Sequence, residues 1–437
     1  MKRAASDAVD EVRSKPRLSA DDSQEHSTSD LLHFMEVCCK LKRTPRTGWV
    51  RRGVKSPESV ACHSHSVALM SFVLGAPLSL DRCRALKIGL VHDLAEAVVG
   101  DLVVDGEQQI RDKITPEEKS KRERQAMEQI CARVAAGKEI MSLWEDYEDL
   151  SSAEAKLCKD LDKLEMLHQA LNYEDFQSQV DLADFYRSTS AYQYHTETCY
   201  LVDQLVRSRR RDQLRAKGRD EQVPGLREAV DVKEPSGTDR REDVVLTFEV
   251  CCKLKRTLRT GWVRSKVDAP EAVADHCCSM ALLALALSPH AAVDSQRAVH
   301  MALVHDLAEA VIGDLVIEGD RVNRDKITPE EKLQRERRAM EEICGRVAAG
   351  KYMLDLWEDF EAGLSAESQL CKDLDKLEML HQALWYEEGQ PDLDLSSFYR
   401  STAAYTYKTD ICKELDLEVR RRHRQQLQRK GREEEVP

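Results

Sequence analysis

Aromatic side chains are scarce in this chain, with 7 Phe, 5 Trp and 11 Tyr making up 5 % of 437 residues. A core short of rings has to be closed with Leu, Ala, Val and Met, and 33 % charged residues complete a helical balance. Few runs alternate with a period of two, so strands are not expected. No run of 18 apolar residues is present, which excludes a hydropathic membrane span. No leader with a basic start and an apolar middle is visible either. The 14 Cys include no paired CxxC, and the vicinal pairs Cys38-Cys39, Cys251-Cys252 and Cys277-Cys278 read as apolar helix residues. A zinc ribbon and a disulfide framework are therefore not expected, and a reducing, cytoplasmic setting is. Lys2-Arg3 and Lys15-Pro16-Arg17 read as a solvated tail in preference to a nuclear address. Positive charge is also in deficit. A net charge of -13 argues against nonspecific nucleic-acid or anionic-membrane partners. It leaves room for a small anionic substrate, because a metal and a few Arg residues reverse a local field.

What the chain has is a duplication. VHDLAEAVVGDLV from Val91 returns as VHDLAEAVIGDLV from Val304, 213 residues later. At the same offset, Leu41-Lys-Arg-Thr matches Leu254-Lys-Arg-Thr, and Arg46-Thr-Gly-Trp matches Arg259-Thr-Gly-Trp. Cys158-Lys-Asp-Leu-Asp-Lys-Leu-Glu-Met recurs from Cys371. The period is far too long for a solenoid of small units, so the spacing predicts two tandem all-α domains. Residues 1–30 lack apolar periodicity and are expected to be a disordered tail. Domains over 31–218 and 244–437 are joined across 219–243, where Pro224, Gly225, Pro235 and Gly237 signal a linker. Thr115-Pro116-Glu117-Glu118 marks a helix start, and the apolar spacing from Glu154 to Leu171 marks another helix.

The residues suited to chemistry fall in these repeats. His92 and Asp93 are expected within one apolar helix, Leu86 to Val99, with Glu96 near the same face and Asp101 just past the break at Gly100. Polar groups in so apolar a stretch need a partner, and a metal ion supplies one. His63 and Asp162 complete a set of two imidazoles and two carboxylates. His276, His305, Asp306 and Asp375 repeat it. Such a set is borderline-hard and suits Mn, Co, Fe, Ni, Zn or Mg, with room on an octahedral ion for water and substrate.

The order H…HD…D resembles the HD-domain phosphohydrolase superfamily. With LKRTPRTGWV (41–50), Pro-Glu-Ser-Val before His63, LWEDYE (143–148), SSAEAK (151–156) and LDKLEM (161–166), it resembles the 5'-deoxynucleotidase family. The resemblance covers nearly all of each repeat. It implies an all-α bundle and metal-dependent hydrolysis of 2'-deoxyribonucleoside 5'-monophosphates. It makes His63, His92, Asp93 and Asp162 metal ligands, and has Glu96 and Asp101 orient or deprotonate water or hold further metal. Arg46 and Trp49 match the segment that receives phosphate and sugar. In the second copy these are His276, His305, Asp306, Asp375, Glu309, Asp314, Arg259 and Trp262. The family tends to self-associate, so the copies either form a dimer within one chain or each pair with another chain.

One departure is Cys62, which precedes His63 where Asp275 precedes His276. If that acid supports the metal His, the first site is the weaker. His65 is read as noncatalytic, and His168 and His381 as packing or supporting residues. Trp49 and Trp262 have packing as their alternative, and the charge run Lys119–Arg124 reads as a solvated face. Other HD phosphohydrolase activities, on dNTPs, alarmones or cyclic nucleotides, and a decayed nucleotide-binding scaffold are the competing functions. No basic cluster for a triphosphate stands beside the motifs.

Overall fold

The computed structural model describes residues 27–75, 77–104, 111–219, 241–317 and 324–432. Among them every regular element is a helix, and the only β pairing is two isolated bridges, Pro45 with Ser59 and Leu258 with Ala272. The first half contains α1 (Thr28–Arg43), α2 (Thr47–Arg51), α3 (Val60–Gly75), α4 (Arg82–Val91) and α5 (Glu96–Val99). It continues with α6 (Pro116–Cys131), α7 (Gly137–Asp149), α8 (Ala153–Phe176), α9 (Ala183–Ser188) and α10 (Glu197–Ala216). The second half repeats the order as α11 (Arg241–Leu254), α12 (Thr260–Arg264), α13 (Val273–Ala291), α14 (Ser295–Val304) and α15 (Glu309–Ile312). It ends with α16 (Pro329–Cys344), α17 (Gly350–Ala362), α18 (Ala366–Gly389), α19 (Ser396–Ser401) and α20 (Asp410–Arg429). No described helix is long and apolar enough to cross a membrane.

The cores follow from the sequence. α3 is apolar or small on all sides and buried along its whole length, as an all-round hydrophobic helix must be. It packs on α4 and α8 of its own half, and on α11 and α13 of the other half. α8 turns Leu157, Leu161, Leu164 and Leu167 inward, each stabilising by roughly 1.5–3 kcal/mol when fully buried. Thr115 caps α6 by accepting from the Glu118 N–H, with Pro116 in the first turn, as the sequence indicates.

The halves are not separate beads. α1 runs from its own α5 to α13, α18 and α20, and α11 runs from α15 to α3, α8 and α10. Each opening helix therefore lies across the junction.

Three boundaries differ from expectation. α1 starts at Thr28, because Ser27 and Asp30 form a capping box, so residues 27–30 are not tail. Residues 1–26 lie outside the described residues. α11 starts at Arg241, inside the expected linker, of which residues 220–240 are outside the described residues. The expected helix from Leu86 to Val99 is two helices. Between them Leu94 N–H donates to Val91 O and Glu96 N–H to Asp93 O, three residues back, so the chain tightens through His92–Ala95.

Candidate metal centres

The tight turn aims the His-Asp pair. His92 closes α4, and its Nδ1–H donates to the Gly89 carbonyl at 2.8 Å. That fixes the tautomer and leaves Nε2 bare. Nε2 lies 3.2 Å from Asp93 Oδ2 and 3.3 Å from His63 Nε2. His63 comes in from the middle of α3, fully buried, and its Nδ1–H donates to Glu165 Oε2 at 2.6 Å. Its Nε2 then faces Asp162 Oδ1 at 3.3 Å and Asp93 Oδ2 at 3.7 Å. The four expected ligands of the first half thus converge on one point, from α3, α8 and the turn after α4.

The second half does the same. His305 Nδ1–H donates to Ala302 O at 2.8 Å, and His276 Nδ1–H to Glu378 Oε2 at 2.8 Å. His276 Nε2 stands 3.4 Å from Asp375 Oδ1 and 3.8 Å from Asp306 Oδ2. The Nε2 atoms of His276 and His305 are buried yet make no hydrogen bond; the Asp306 Oδ2 atom 3.2 Å from His305 lacks the geometry for one. Bare imidazole nitrogens facing carboxylates fit a divalent cation. His63, His92 and Asp93, and likewise His276, His305 and Asp375, each offer a donor atom within 4.8 Å of the others.

The electrostatics of the protein alone show how crowded these points are. Burial and the Arg46 charge push His63 down, but Glu165 and Asp162 raise it further, to about 9. Asp93 is held well below the carboxylate range: burial raises it, and His92, Arg46 and His63 outweigh burial. Glu96 is driven well above its ordinary value by burial and by the charges of Asp93 and Asp101. Its Oε2 is buried without a partner, as is that of Glu309.

The remaining expected residues divide. Arg46 reaches the centre, with one guanidinium nitrogen 3.0 Å from Asp93 Oδ2, and Arg259 lies 3.6 Å from Asp306 Oδ2. Asp101 holds the segment carrying Arg46: its Oδ2 accepts the Thr47 N–H at 2.5 Å and its carbonyl accepts the Thr47 hydroxyl. Asp314 does the same for Thr260. Trp49 is buried, donates to Glu58 Oε1 at 2.9 Å and packs on Phe185. Trp262 repeats this with Glu271 and Phe398, so both indoles build the wall. Beside the second centre is a cavity of about 930 Å³ lined by Arg259, Arg324, Lys332, Lys372 and Lys376, with Trp262, Phe398 and Tyr405.

Sequence reasoning missed several of these groups. The basic lining is assembled from four separate segments, so no local cluster announces it. Lys119, read as solvated, is half-buried, ion-paired with Glu123 at 3.4 Å and electrostatically linked to Glu96. Glu165 and Glu378 recur inside the quoted LDKLEM blocks, three residues after each Asp on the same helix face; that spacing was the available signal. Cys277 Sγ sits with His305 and Asp306, where the first half has Ser64. Tyr147 donates to Asp162 Oδ2 at 3.1 Å, and Phe360 replaces it in the second half.

Asp275 is a correction. Its Oδ1 accepts from Ser59 of the other half, and its Oδ2 from the Ala272 N–H at the start of α13. Glu378, and not Asp275, holds His276. His65 donates to or faces the Leu303 carbonyl. His168 and His381 are buried at the junction beside Cys252 and Cys39.

The model of the HD domain family matches residues 38–198 and 251–413. Human 5'-deoxynucleotidase HDDC2 is 44 % identical over 188 residues, covering 42 % of this chain and 88 % of that protein. The Dictyostelium discoideum 5'-deoxynucleotidase HDDC2 is 38 % identical over 195 residues, covering 42 % of this chain and 100 % of that protein. Among solved structures, a conserved hypothetical protein from Pyrococcus furiosus aligns at 31 % identity with a TM-score of 0.33, over 41 % of this chain and 99 % of that one.

Proposed function

The chain belongs to the HD domain family, and from that premise we propose that each half is a metal-dependent 5'-deoxynucleotidase site. The substrate is a 2'-deoxyribonucleoside 5'-monophosphate, and the products are the deoxynucleoside and inorganic phosphate. The observation that carries this is the convergence, in both halves, of bare imidazole nitrogens and carboxylates on one buried point beside an Arg.

His63, His92, Asp93 and Asp162 would hold the metal in the first half, and His276, His305, Asp306 and Asp375 in the second. A divalent ion held there would supply Lewis-acid polarisation of the phosphate and a more acidic water. The protein's own groups do the rest. Arg46 or Arg259 offers planar paired donors to phosphate oxygens and balances charge that grows as water attacks phosphorus. Glu96 or Glu309 accepts the proton of the attacking water; each is buried with one carboxylate oxygen that meets no hydrogen-bond partner among the described residues. The phosphorus–O5' bond breaks, and the deoxynucleoside oxygen takes up a proton. Asp101 and Asp314 keep the Arg segments in place. Trp262, Phe398 and Tyr405 offer apolar wall to sugar or base in the second half.

The chain acts as its own dimer, supported by the opening helices that cross between halves. Its 14 unpaired cysteines suit a reducing cytoplasm. The basic lining of the second cavity favours one alternative, a dNTP substrate. Phosphate release from a panel of deoxynucleoside monophosphates and triphosphates, with Mn²⁺ or Co²⁺ added, decides. Turnover of monophosphates supports the proposal, and turnover of triphosphates alone overturns it.

A further inference from the structure

Lys42 lies near the end of α1 in the first half, yet among the described residues its ammonium ion-pairs only with the second half. It pairs with Glu271 at 2.7 Å and with Glu378, both in the second half. Lys255, at the same place after α11, pairs with Glu58 at 2.5 Å and with Glu165, both in the first half. The exchange is reciprocal. All six side chains are at most 3 % exposed.

The carboxylates they join have further duties. Glu165 holds Nδ1 of His63 and Glu378 holds Nδ1 of His276. Glu58 and Glu271 accept the indole N–H groups of Trp49 and Trp262. Each centre is thus backed by one chain of contacts, running from the Trp through a Glu, the other half's Lys and a second Glu to the metal-facing His.

We infer that Lys42 positions the metal centre of the second half and Lys255 that of the first, so that neither centre is complete without the opposite repeat. The inference rests on the metal-site reading above. Two buried carboxylates side by side repel, and an ammonium between them holds both in place. The fixed Glu in turn holds the imidazole with Nε2 toward the metal. Loss of such a support behind a ligand typically weakens metal binding by roughly 10- to 100-fold. Burial alone would discharge Lys42, but Glu271 and Glu378 outweigh it and keep the charge in place; Lys255 is kept likewise by Glu165 and Glu58.

The test titrates the full chain with Mn²⁺ alone, reading free ion by electron paramagnetic resonance. Asp93→Ala leaves the second centre to be read, and Asp306→Ala leaves the first. Lys42→Met should weaken Mn²⁺ binding by roughly 10- to 100-fold in the Asp93→Ala chain and leave it unchanged in the Asp306→Ala chain. Lys255→Met should do the reverse. Adding Glu271→Gln to Lys42→Met restores the local charge balance and should return much of the affinity, which a role in packing alone would not. If Lys42→Met does not fold, Lys42→Gln reads the same pattern. Each Lys acting on its own half's centre, on neither, or on both alike overturns the inference. No Mn²⁺ bound by either parent chain overturns the metal-site reading itself, a separate result.

Discussion

Asp275 of α13 accepts a hydrogen bond from Ser59 across the junction of the two halves. The pair has no mirror image, because Cys62 and Ala272 occupy the equivalent places. Cys62 is buried close to Asp275, whose charge is among the causes that raise its thiol pKa, after burial.

Cys62→Asp should therefore not tighten the first centre, whose His63 is already held by Glu165. It sets a second acid beside Asp275 with no partner, at a cost of roughly 3 kcal/mol or more. Thermal unfolding should show the loss, while Mn²⁺ titration in an Asp306→Ala background stays flat. A tightened centre would restore the expectation that the residue preceding the His supports it.

The centres differ at Tyr147 and Phe360. Tyr147→Phe removes one hydrogen bond to Asp162, worth about 1–1.5 kcal/mol. It should weaken Mn²⁺ binding at the first centre by up to about tenfold, and Phe360→Tyr should strengthen the second. Equal titrations before and after substitution would show that the hydroxyl does not steady Asp162.

His168 is buried against Phe248 at 4.6 Å between ring centres, and burial, ahead of weaker charge effects, lowers its pKa to about 4. The unfolded imidazole titrates near 6.5, so the unfolded chain binds more protons between these values. Its contribution is whole above about 6.5 and is lost as pH falls toward 4, a change on the order of 3 kcal/mol. His381 behaves alike, with a pKa of about 3. Buried Glu123 and partly buried Glu336, raised to about 7 by desolvation first, pull the other way. The signature is thus a difference: His168→Gln should lose less stability than the parent between pH 6.5 and 4 in urea unfolding. Parallel curves would contradict it.

Much of the fold and the centres was legible. Composition and a 3.6-residue period gave helices, and the duplication gave two equal sets of His and Asp. Local rules also gave Thr115 as a cap and Gly100, with φ 77°, as a break. What escaped was of two kinds. The turn at His92–Ala95 is hidden because Leu94, Ala95 and Ala97 continue an apolar pattern through it. Pairings such as Lys42 with Glu378 and Ser59 with Asp275 join residues more than 200 positions apart, and no local period encodes which half a helix end will meet. Trp49 stood beside the right motif, yet its role is set by Glu58 and Phe185, which the motif does not show.

The central claim is that two metal centres act in one chain. Bound metal, counted by elemental analysis, and phosphate released from deoxynucleoside monophosphates should be measured together for Asp93→Ala, Asp306→Ala and the double variant. Each single variant should lose one centre's metal and keep the activity of the other, and the double variant should lose both. Asp93→Ala abolishing all phosphate release while the second centre keeps its metal would contradict the account.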